Sequence, residues 1–198
     1  FNALKAQTVP RTDVSAFAAR QLTRVLGPAF ADFWGPTSAS GDDKQADIAA
    51  YKRQLTDEVL AGANLPNGRA VFERTCASCH TLYGTGGVIG PDLTGSNRAN
   101  LDYILSEILN PSDVIQEGYQ LVTITTQDGR TLAGNLAAED EQQVTLRLIG
   151  QEMVVAKSTI QSREKSSVSM MPEGLLKTLS NAEVRDLIAY LRTNQQVK

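Results

Sequence analysis

Histidine and cysteine are scarce in this chain of 198 residues, which has one histidine and two cysteines. A structural zinc site needs four ligands, so cysteine and histidine alone cannot complete one. No apolar run approaches the ~20 residues that are needed to cross a bilayer. The chain also lacks a basic excess, since its formal charge is −3. This charge argues against a nucleic-acid partner, which favours a basic face.

The composition is that of ordinary globular protein, with 41% hydrophobic and 21% charged residues. The length allows one large domain or two small ones. The sequence begins at Phe1, with neither a methionine nor a signal-peptide pattern. We therefore expect a processed product or an excised domain of a longer protein.

All of the thiol and imidazole chemistry lies in one pentapeptide, Cys76-Ala77-Ser78-Cys79-His80. This C-x-x-C-H spacing is typical of the covalent attachment of c-type haem. On a helix, positions i, i+3 and i+4 share one face, so both sulfurs can add to the haem vinyl groups while the imidazole binds the iron. A redox disulfide is the alternative, but that motif sits beside a βαβ pattern, which is absent from this sequence. Attachment of this kind occurs outside the cytoplasm, so we expect a periplasmic or otherwise exported protein.

The sixth iron ligand must come from another residue type, because the chain has no second histidine and bis-histidine ligation within one chain is excluded. The candidates are the three methionines, Met153, Met170 and Met171. Thioether ligation raises the reduction potential and suits electron transfer. Met153 falls in the middle of a predicted strand, where methionine more often fills a core.

Helices are predicted towards both ends of the chain from the spacing of apolar residues. One is expected from Asp43 to Leu60, one over 67–75 running into the C-x-x-C-H motif, and one over 101–108. Ser180-Asn181-Ala182-Glu183 is a capping box, and it opens an amphipathic C-terminal helix.

Residues 119 to about 160 have the composition of strands instead. A first hairpin is predicted from Tyr119–Thr126 and Thr131–Ala138, with Asp128-Gly129 as its turn. A second hairpin is predicted from Val144–Ile149 and Met153–Ala156. These four strands predict a small antiparallel sheet or an open barrel.

A helix that ends in C-x-x-C-H, together with a C-terminal helix that ends in Tyr190-Leu191, resembles the class I cytochrome c fold. In that family the two helices cross with a small residue and an aromatic residue at the contact, and Gly68, Phe72 and Tyr190 match these positions. The sequence over roughly 66–194 is also similar to a family of haem-binding domains that is abundant in planctomycetes and verrucomicrobia. The motifs that carry this similarity are Cys-x-x-Cys-His-Thr, Gly-Pro-Asp-Leu-Thr-Gly, Asn110-Pro111-Ser112, Gly118-Tyr119, Asp128-Gly129-Arg130, Met171-Pro172-Glu173-Gly174 and Asp186-Leu187-Ile188-Ala189-Tyr190-Leu191.

The resemblance implies an α+β protein in which a mainly α-helical cytochrome c domain is split by a small antiparallel β-sheet or barrel. The implied segments are a helical extension, the first part of the cytochrome domain, the β-rich insertion and the second part of the cytochrome domain. Their bounds are 1–65, 66–118, 119–165 and 166–198.

The resemblance also implies one covalent haem c whose iron is bound by His80 and Met171. The ligand methionine of the family often precedes a proline shortly before the last helix, as Met171 does, and Met170 is the alternative. A Gly-Pro loop of the family supplies a carbonyl to the second nitrogen of the histidine, which would be that of Pro91. Local chemistry alone is equally consistent with a plain turn at Pro91. Tyr83 and Arg98 are the nearest polar candidates for the haem propionates, although packing or surface charge is the commoner role of such residues.

One-electron transfer is the function that these features favour, with a redox partner protein or a fused dehydrogenase domain as donor or acceptor. The alternative is a haem-based sensor, or a module that binds a small ligand, with an exchangeable Met171. Peroxide reduction is disfavoured, because it needs an open iron and a distal proton donor, and no histidine is left for that role. We therefore expect an electron-transfer protein or domain rather than an enzyme, which can still form part of a larger oxidoreductase.

Overall fold

The computed structural model describes residues 1–9, 14, 16–34, 42–113 and 115–197. The helices in these ranges are α1 (Asn2–Lys5), α2 (Ala16–Leu26), α3 (Pro28–Trp34), α4 (Asp42–Gln54), α5 (Asp57–Ala61), α6 (Leu65–Thr75), α7 (Leu101–Leu109) and α8 (Asn181–Leu191). The strands are β1 (Thr81–Leu82), β2 (Thr85–Gly86), β3 (Leu121–Thr126), β4 (Thr131–Glu139), β5 (Gln143–Leu148), β6 (Gln151–Ala156) and β7 (Ile160–Lys165). Short 3-10 turns lie at Lys157–Thr159 and Leu175–Thr178. None of the helices in the described ranges is long and apolar enough to span a bilayer.

The single helix predicted from Asp43 to Leu60 is wrong, because the structure has two helices, α4 and α5, in this region. Thr56 adopts an extended conformation between them, and its side chain accepts a hydrogen bond from the Val59 N–H at 3.3 Å. This bond caps α5 in the usual way for a threonine. Leu55 beside the break is buried, so the apolar stripe continues across it and periodicity does not reveal it.

Helices α6 and α8 pack closely against each other, although they are more than 100 residues apart in the chain. A Cβ atom added at Gly68 would lie 2.1 Å from the carbonyl oxygen of Asp186, so the two backbones are in contact there. The rings of Phe72 and Tyr190 lie 5.8 Å apart beside this contact. The expected contact between a small residue and an aromatic residue is confirmed. The capping box of α8 is confirmed too, because Ser180 and Glu183 exchange both of its hydrogen bonds.

A buried carboxylate ties the same two helices together. The Asp186 side chain, 3% exposed, accepts hydrogen bonds from the backbone N–H of Asn64 at 3.0 Å and the side-chain amide of Asn67 at 2.8 Å. Both donors are at the N-terminus of α6, where the helix dipole also favours a negative charge. Burial on its own raises the pKa of Asp186, but these hydrogen bonds and Arg185 outweigh it, so the pKa lies below its ordinary value. The charged form is therefore the stable one.

Replacing Asp186 with asparagine should lower the free energy of unfolding by about 2 kcal/mol at neutral pH, since hydrogen bonds to a charged group are lost. The folded-state pKa of Asp186 is lowered, so its stabilisation is present above the unfolded-state value of ~3.9 and disappears as the pH falls through the folded-state value. Urea unfolding between neutral and acidic pH should show the two proteins converging at the acidic end. The control is Asp57→Asn, because the Asp57 side chain is 95% exposed. A constant difference between Asp186→Asn and the wild type at every pH would contradict the charged role.

The helical part has one continuous core to which α4–α8 all contribute. Its centre is formed by Leu82 and by buried residues of α6, α7 and α8, namely Val71, Phe72, Ile104, Leu105, Leu187, Ile188 and Tyr190. The N-terminal helices form a separate aromatic cluster around Phe30, on which Trp34 stacks at 5.6 Å. Within the described part of the chain, Cys76 and Ala77 of the C-x-x-C-H motif pack against the helical core, not against this aromatic cluster.

The last five strands form one antiparallel sheet with the order β6-β5-β4-β3-β7. The two predicted hairpins are present, but the expectation of four strands is wrong, since β7 is a fifth strand that pairs with β3. The sequence of β7, Ile160-Gln161-Ser162-Arg163-Glu164-Lys165, is mostly polar and exposed. A polar edge strand lacks the apolar alternation on which strand prediction depends.

This sheet must coil into a half-open barrel. β6 and β7 are at opposite edges, and four strand spacings in a flat sheet would separate them by about 19 Å. The three residues between them let Ala156 and Ile160 lie at most ~15 Å apart. Register shifts in β3 and β4 provide the bends. We call residues 121–165 the β-barrel; its interior holds Val122, Ile124, Val144, Leu146 and Val155.

Candidate functional site

The C-x-x-C-H pentapeptide lies just beyond the end of α6 and forms a turn rather than part of the helix. The expectation that it is helical is wrong, because α6 ends at Thr75. The N–H groups of Cys79 and His80 both donate to the Cys76 carbonyl, at 3.0 and 2.9 Å. These bonds span three and four residues, as in a helix. The turn therefore keeps the i, i+3, i+4 relation that brings the three reactive groups to one side.

Cys76 and Cys79 are both free thiols and both are half-buried. Burial raises the pKa of Cys76 above its ordinary value, although a hydrogen bond with the Thr75 hydroxyl partly offsets this. Among the described residues, no three side chains of His, Cys, Asp or Glu are grouped to hold a metal ion directly.

His80 is oriented by a hydrogen bond from its Nδ1 to the carbonyl oxygen of Pro91, at 2.9 Å. A carbonyl can only accept, so Nδ1 carries the proton and Nε2 keeps its lone pair. Burial lowers the pKa of His80 below its ordinary value, and the bond to Pro91 offsets only part of this. The imidazole is therefore neutral around physiological pH, which is the form that binds a metal.

Residues 87–93, which we call the proximal loop, lie directly against the C-x-x-C-H turn. Backbone N–H groups of the loop donate to carbonyls of the turn, from Gly87 to Ala77 and from Gly90 to Cys79, each at 2.8 Å. A Cβ atom at Gly90 would lie 2.6 Å from Cε1 of His80 and 2.7 Å from its Nδ1. Only glycine leaves room for the imidazole at this position.

Tyr83 and Arg98 have another role in the structure. Arg98 is 8% exposed, and its guanidinium donates to the carbonyls of Leu93, Thr94, Leu191 and Thr193 and to the Tyr83 hydroxyl. The Tyr83 hydroxyl in turn donates to the Thr193 carbonyl. This network satisfies carbonyls at the C-terminal end of α8. The packing role accounts for these contacts, and contact with haem propionates stays a prediction.

The three methionines differ in their surroundings. Met153 packs against the interior of the β-barrel, so its expected role as core filler is confirmed. Met170 is 37% exposed, whereas Met171 beside it is half-buried. The Met171 N–H donates to the Ser169 hydroxyl at 3.1 Å, and the Ser169 N–H donates to the hydroxyl of Ser112, which follows α7, also at 3.1 Å. The Met171 segment is thus tied back to the helical part.

One residue that sequence reasoning missed contacts the proximal loop from the β-barrel. Asn135 of β4 is 3% exposed, and its side-chain amide donates to the Ile89 carbonyl. The two residues are 46 positions apart. An asparagine within a predicted strand gives no sign of such a partner, so no sequence signal marks it.

A family model described as Cytochrome c matches residues 65–142. This range begins at α6 and includes the C-x-x-C-H turn, the proximal loop, α7 and the first hairpin of the β-barrel. Over these residues the chain is similar to a cytochrome c domain. Such a domain binds covalent haem c with its iron, and it points to electron transfer rather than catalysis. A search of the curated proteins finds no match.

The residues of the turn fit a covalently bound haem. Two free thiols and one neutral imidazole lie within five residues, and the imidazole presents an unprotonated Nε2. A covalently attached haem c needs two thiols, one for each vinyl group, and a nitrogen ligand for its iron. The backbone of Gly90 packs directly against the His80 ring, so the direction of Nε2 is fixed.

Replacing Gly90 with alanine should displace the His80 ring and break its bond to Pro91. We expect the free energy of unfolding to fall by about 2 kcal/mol, as is usual for an added methyl group in a packed site. Guanidinium unfolding of the haem-loaded protein measures this loss. Gly95→Ala is the matched control in the next turn, because a Cβ there meets no atom within 4 Å. Equal stability of the two variants would contradict the close packing of Gly90 against the His80 ring.

Proposed function

We propose that this chain is a c-type cytochrome that carries one haem c through thioether bonds from Cys76 and Cys79. In this proposal His80 and Met171 would bind the haem iron, and the protein would transfer single electrons. The observation that carries it is the orientation of His80, with Nδ1 bonded to Pro91 and Nε2 unprotonated beside two free thiols.

The bound haem supplies an iron that gains and loses one electron, and the chain sets the conditions under which it does so. The Pro91 carbonyl keeps the proton on Nδ1 and fixes the plane of the ring. It also makes the imidazole a stronger donor, as partners of ligand histidines do. Gly90 prevents the ring from tilting towards the proximal loop.

Met171 is the sixth ligand that the surroundings favour. It is less exposed than Met170, and its backbone is anchored through Ser169 to Ser112. Met153 is used in the interior of the β-barrel. A thioether ligand raises the reduction potential and leaves no open site for a substrate.

We further propose that residues 119–165 are an insertion in a cytochrome domain formed by 66–118 and 166–198, with 1–65 as a helical extension. The packing of α8 on α6 supports this, because the last helix completes the core that the first part begins. Cytochrome c domains generally belong to exported proteins, and we propose a periplasmic location. The redox partner is a separate protein or a fused dehydrogenase domain.

A potentiometric titration followed by optical absorption tests the function. We expect one reversible one-electron transition, and a ferrous protein that does not take up carbon monoxide, because Met171 occupies the sixth position. Ready binding of carbon monoxide by the ferrous form would contradict the six-coordinate site. It would favour a sensor in which the methionine is exchangeable.

A further inference from the structure

Asn135 is buried on the outer face of the β-barrel, where its neighbours are exposed. Leu132 and Leu136 of β4 pack against the barrel interior, so Asn135 belongs to the opposite face of the strand. Thr131 and Ala133 on that face are exposed, whereas Asn135 is 3% exposed. The proximal loop lies against Asn135 on this face, since the Asn135 amide donates to the Ile89 carbonyl.

The Asn135 side chain is satisfied on one side only. Its Oδ1 is buried and has no hydrogen-bond partner among the described residues. Such orphaned acceptors are uncommon in proteins because they are costly. A hydrophobic side chain would avoid this cost. The contribution of Asn135 to the fold is therefore its side-chain N–H donor, which bonds to the Ile89 carbonyl.

Three consecutive residues of the proximal loop are each anchored to a different group. The Ile89 carbonyl is held by Asn135, the Gly90 N–H by the Cys79 carbonyl, and the Pro91 carbonyl by His80. Asn135 is the anchor that comes from outside the C-x-x-C-H region. It sits in a central strand, paired with Leu121 on one side and Arg147 on the other, so it is a rigid point of attachment.

The conformational freedom of Gly90 explains why the proximal loop needs an anchor from outside the C-x-x-C-H region. The position must be glycine to leave room for the imidazole, but glycine also gives the backbone the widest choice of conformations. The ring of Pro91 fixes only its own φ angle. Holding the Ile89 carbonyl restricts the chain just before the glycine, and this limits where the Pro91 carbonyl can point.

We propose that Asn135 is a positioning residue for the haem iron. It acts from the β-barrel through Ile89 and Pro91 to hold the Nδ1 hydrogen bond of His80. The inference rests on the proposed function, and it gives the inserted barrel a definite task, which is to support the histidine ligand and thereby set the reduction potential.

The test is the reduction potential of the haem-loaded Asn135→Leu protein. Without the anchor, the bond from Nδ1 to Pro91 weakens and the imidazole becomes a poorer donor, so the ferric state is less stabilised and the potential rises. We expect a change of up to about tenfold in the electron-transfer equilibrium constant, which is ~59 mV for one electron. Hydrogen exchange of the Gly90 amide should become about tenfold faster, because its segment opens more easily.

Val155→Ala is the control, because Val155 is buried in the barrel interior on β6, an edge strand that β5 separates from β4 and Asn135. It should lower the stability of the barrel and leave both readouts unchanged. Equal shifts in the two variants, or no shift in Asn135→Leu, would overturn the proposal. If Asn135→Leu does not fold, Asn135→Ala replaces it and is judged by the same two readouts. Failure of the proposed function would be visible earlier, as a wild-type protein without a covalent or sulfur-ligated haem.

Discussion

Gly68→Ala is expected to cause a large loss of stability, because it adds a methyl group where two helices are in backbone contact. The new Cβ would lie 2.1 Å from the Asp186 carbonyl oxygen and 2.7 Å from the Tyr190 Cβ. The first of these is a backbone atom, so α6 and α8 must move apart. We expect the clash to cost at least ~3 kcal/mol, at the upper end for overpacking. The better helix propensity of alanine returns only about 1 kcal/mol.

The net loss of about 2 kcal/mol or more should lower the melting temperature by roughly 4–8 °C. Differential scanning calorimetry of the haem-loaded protein measures it. Gly62→Ala is the matched control, because the nearest atom to an added Cβ there is 3.7 Å away. Its effect should stay within about 0.5 kcal/mol. A Gly68→Ala protein as stable as this control would show that the two helices are not in backbone contact.

Met171→Ala is expected to have the largest effect on the haem. Loss of the thioether should remove the long-wavelength charge-transfer band between sulfur and ferric iron, and the ferrous form should then bind carbon monoxide. The reduction potential should fall on the order of 0.1–0.2 V, a fraction of the ~0.8 V that axial ligands span. Absorption spectra and a potentiometric titration give all three results.

Met170→Ala is the matched control, because the two methionines are adjacent and Met170 is the more exposed. It should retain the charge-transfer band and the potential of the wild type. If Met170→Ala loses the band and Met171→Ala keeps it, the ligand is Met170. If both variants keep it, the iron is bound by neither methionine.

The sequence predicts a structural feature where a local pattern has a single physical explanation. Cys76, Cys79 and His80 are so few and so close that haem attachment was the natural interpretation, and the family match supports covalent haem. The capping box at Ser180 was readable because both of its hydrogen bonds lie within four residues. The match of Gly68 to a helix contact depended on resemblance, since nothing in the local sequence shows what approaches a glycine.

The remaining features depend on contacts between distant parts of the chain or on weak local signals. Asn135 meets Ile89 only because the β-barrel folds back onto the proximal loop. β7 has a polar sequence, and its position is set by pairing with β3. The C-x-x-C-H residues continue the apparent helix of α6, but the chain leaves the helix at Cys76. In the structure this change lets the proximal loop approach His80, which periodicity cannot indicate.

These features together describe a histidine that is held from two directions. The C-x-x-C-H turn positions the backbone of His80, while the proximal loop, supported from the β-barrel, positions its ring. The helical core fixes the turn through α6, and α8 completes that core. In the proposed function, this arrangement would keep one ligand geometry in both oxidation states, which fast electron transfer requires.

The most direct test of the central claim is the absorption spectrum of the purified protein, recorded oxidised and reduced and again as the pyridine haemochrome. We expect one haem per chain, with the haemochrome band at the position of a haem whose two vinyl groups are both saturated by thioethers. We also expect a sulfur-to-iron charge-transfer band in the oxidised spectrum. A haemochrome with unsaturated vinyl groups, or haem that acid acetone extracts from the chain, would contradict attachment through Cys76 and Cys79.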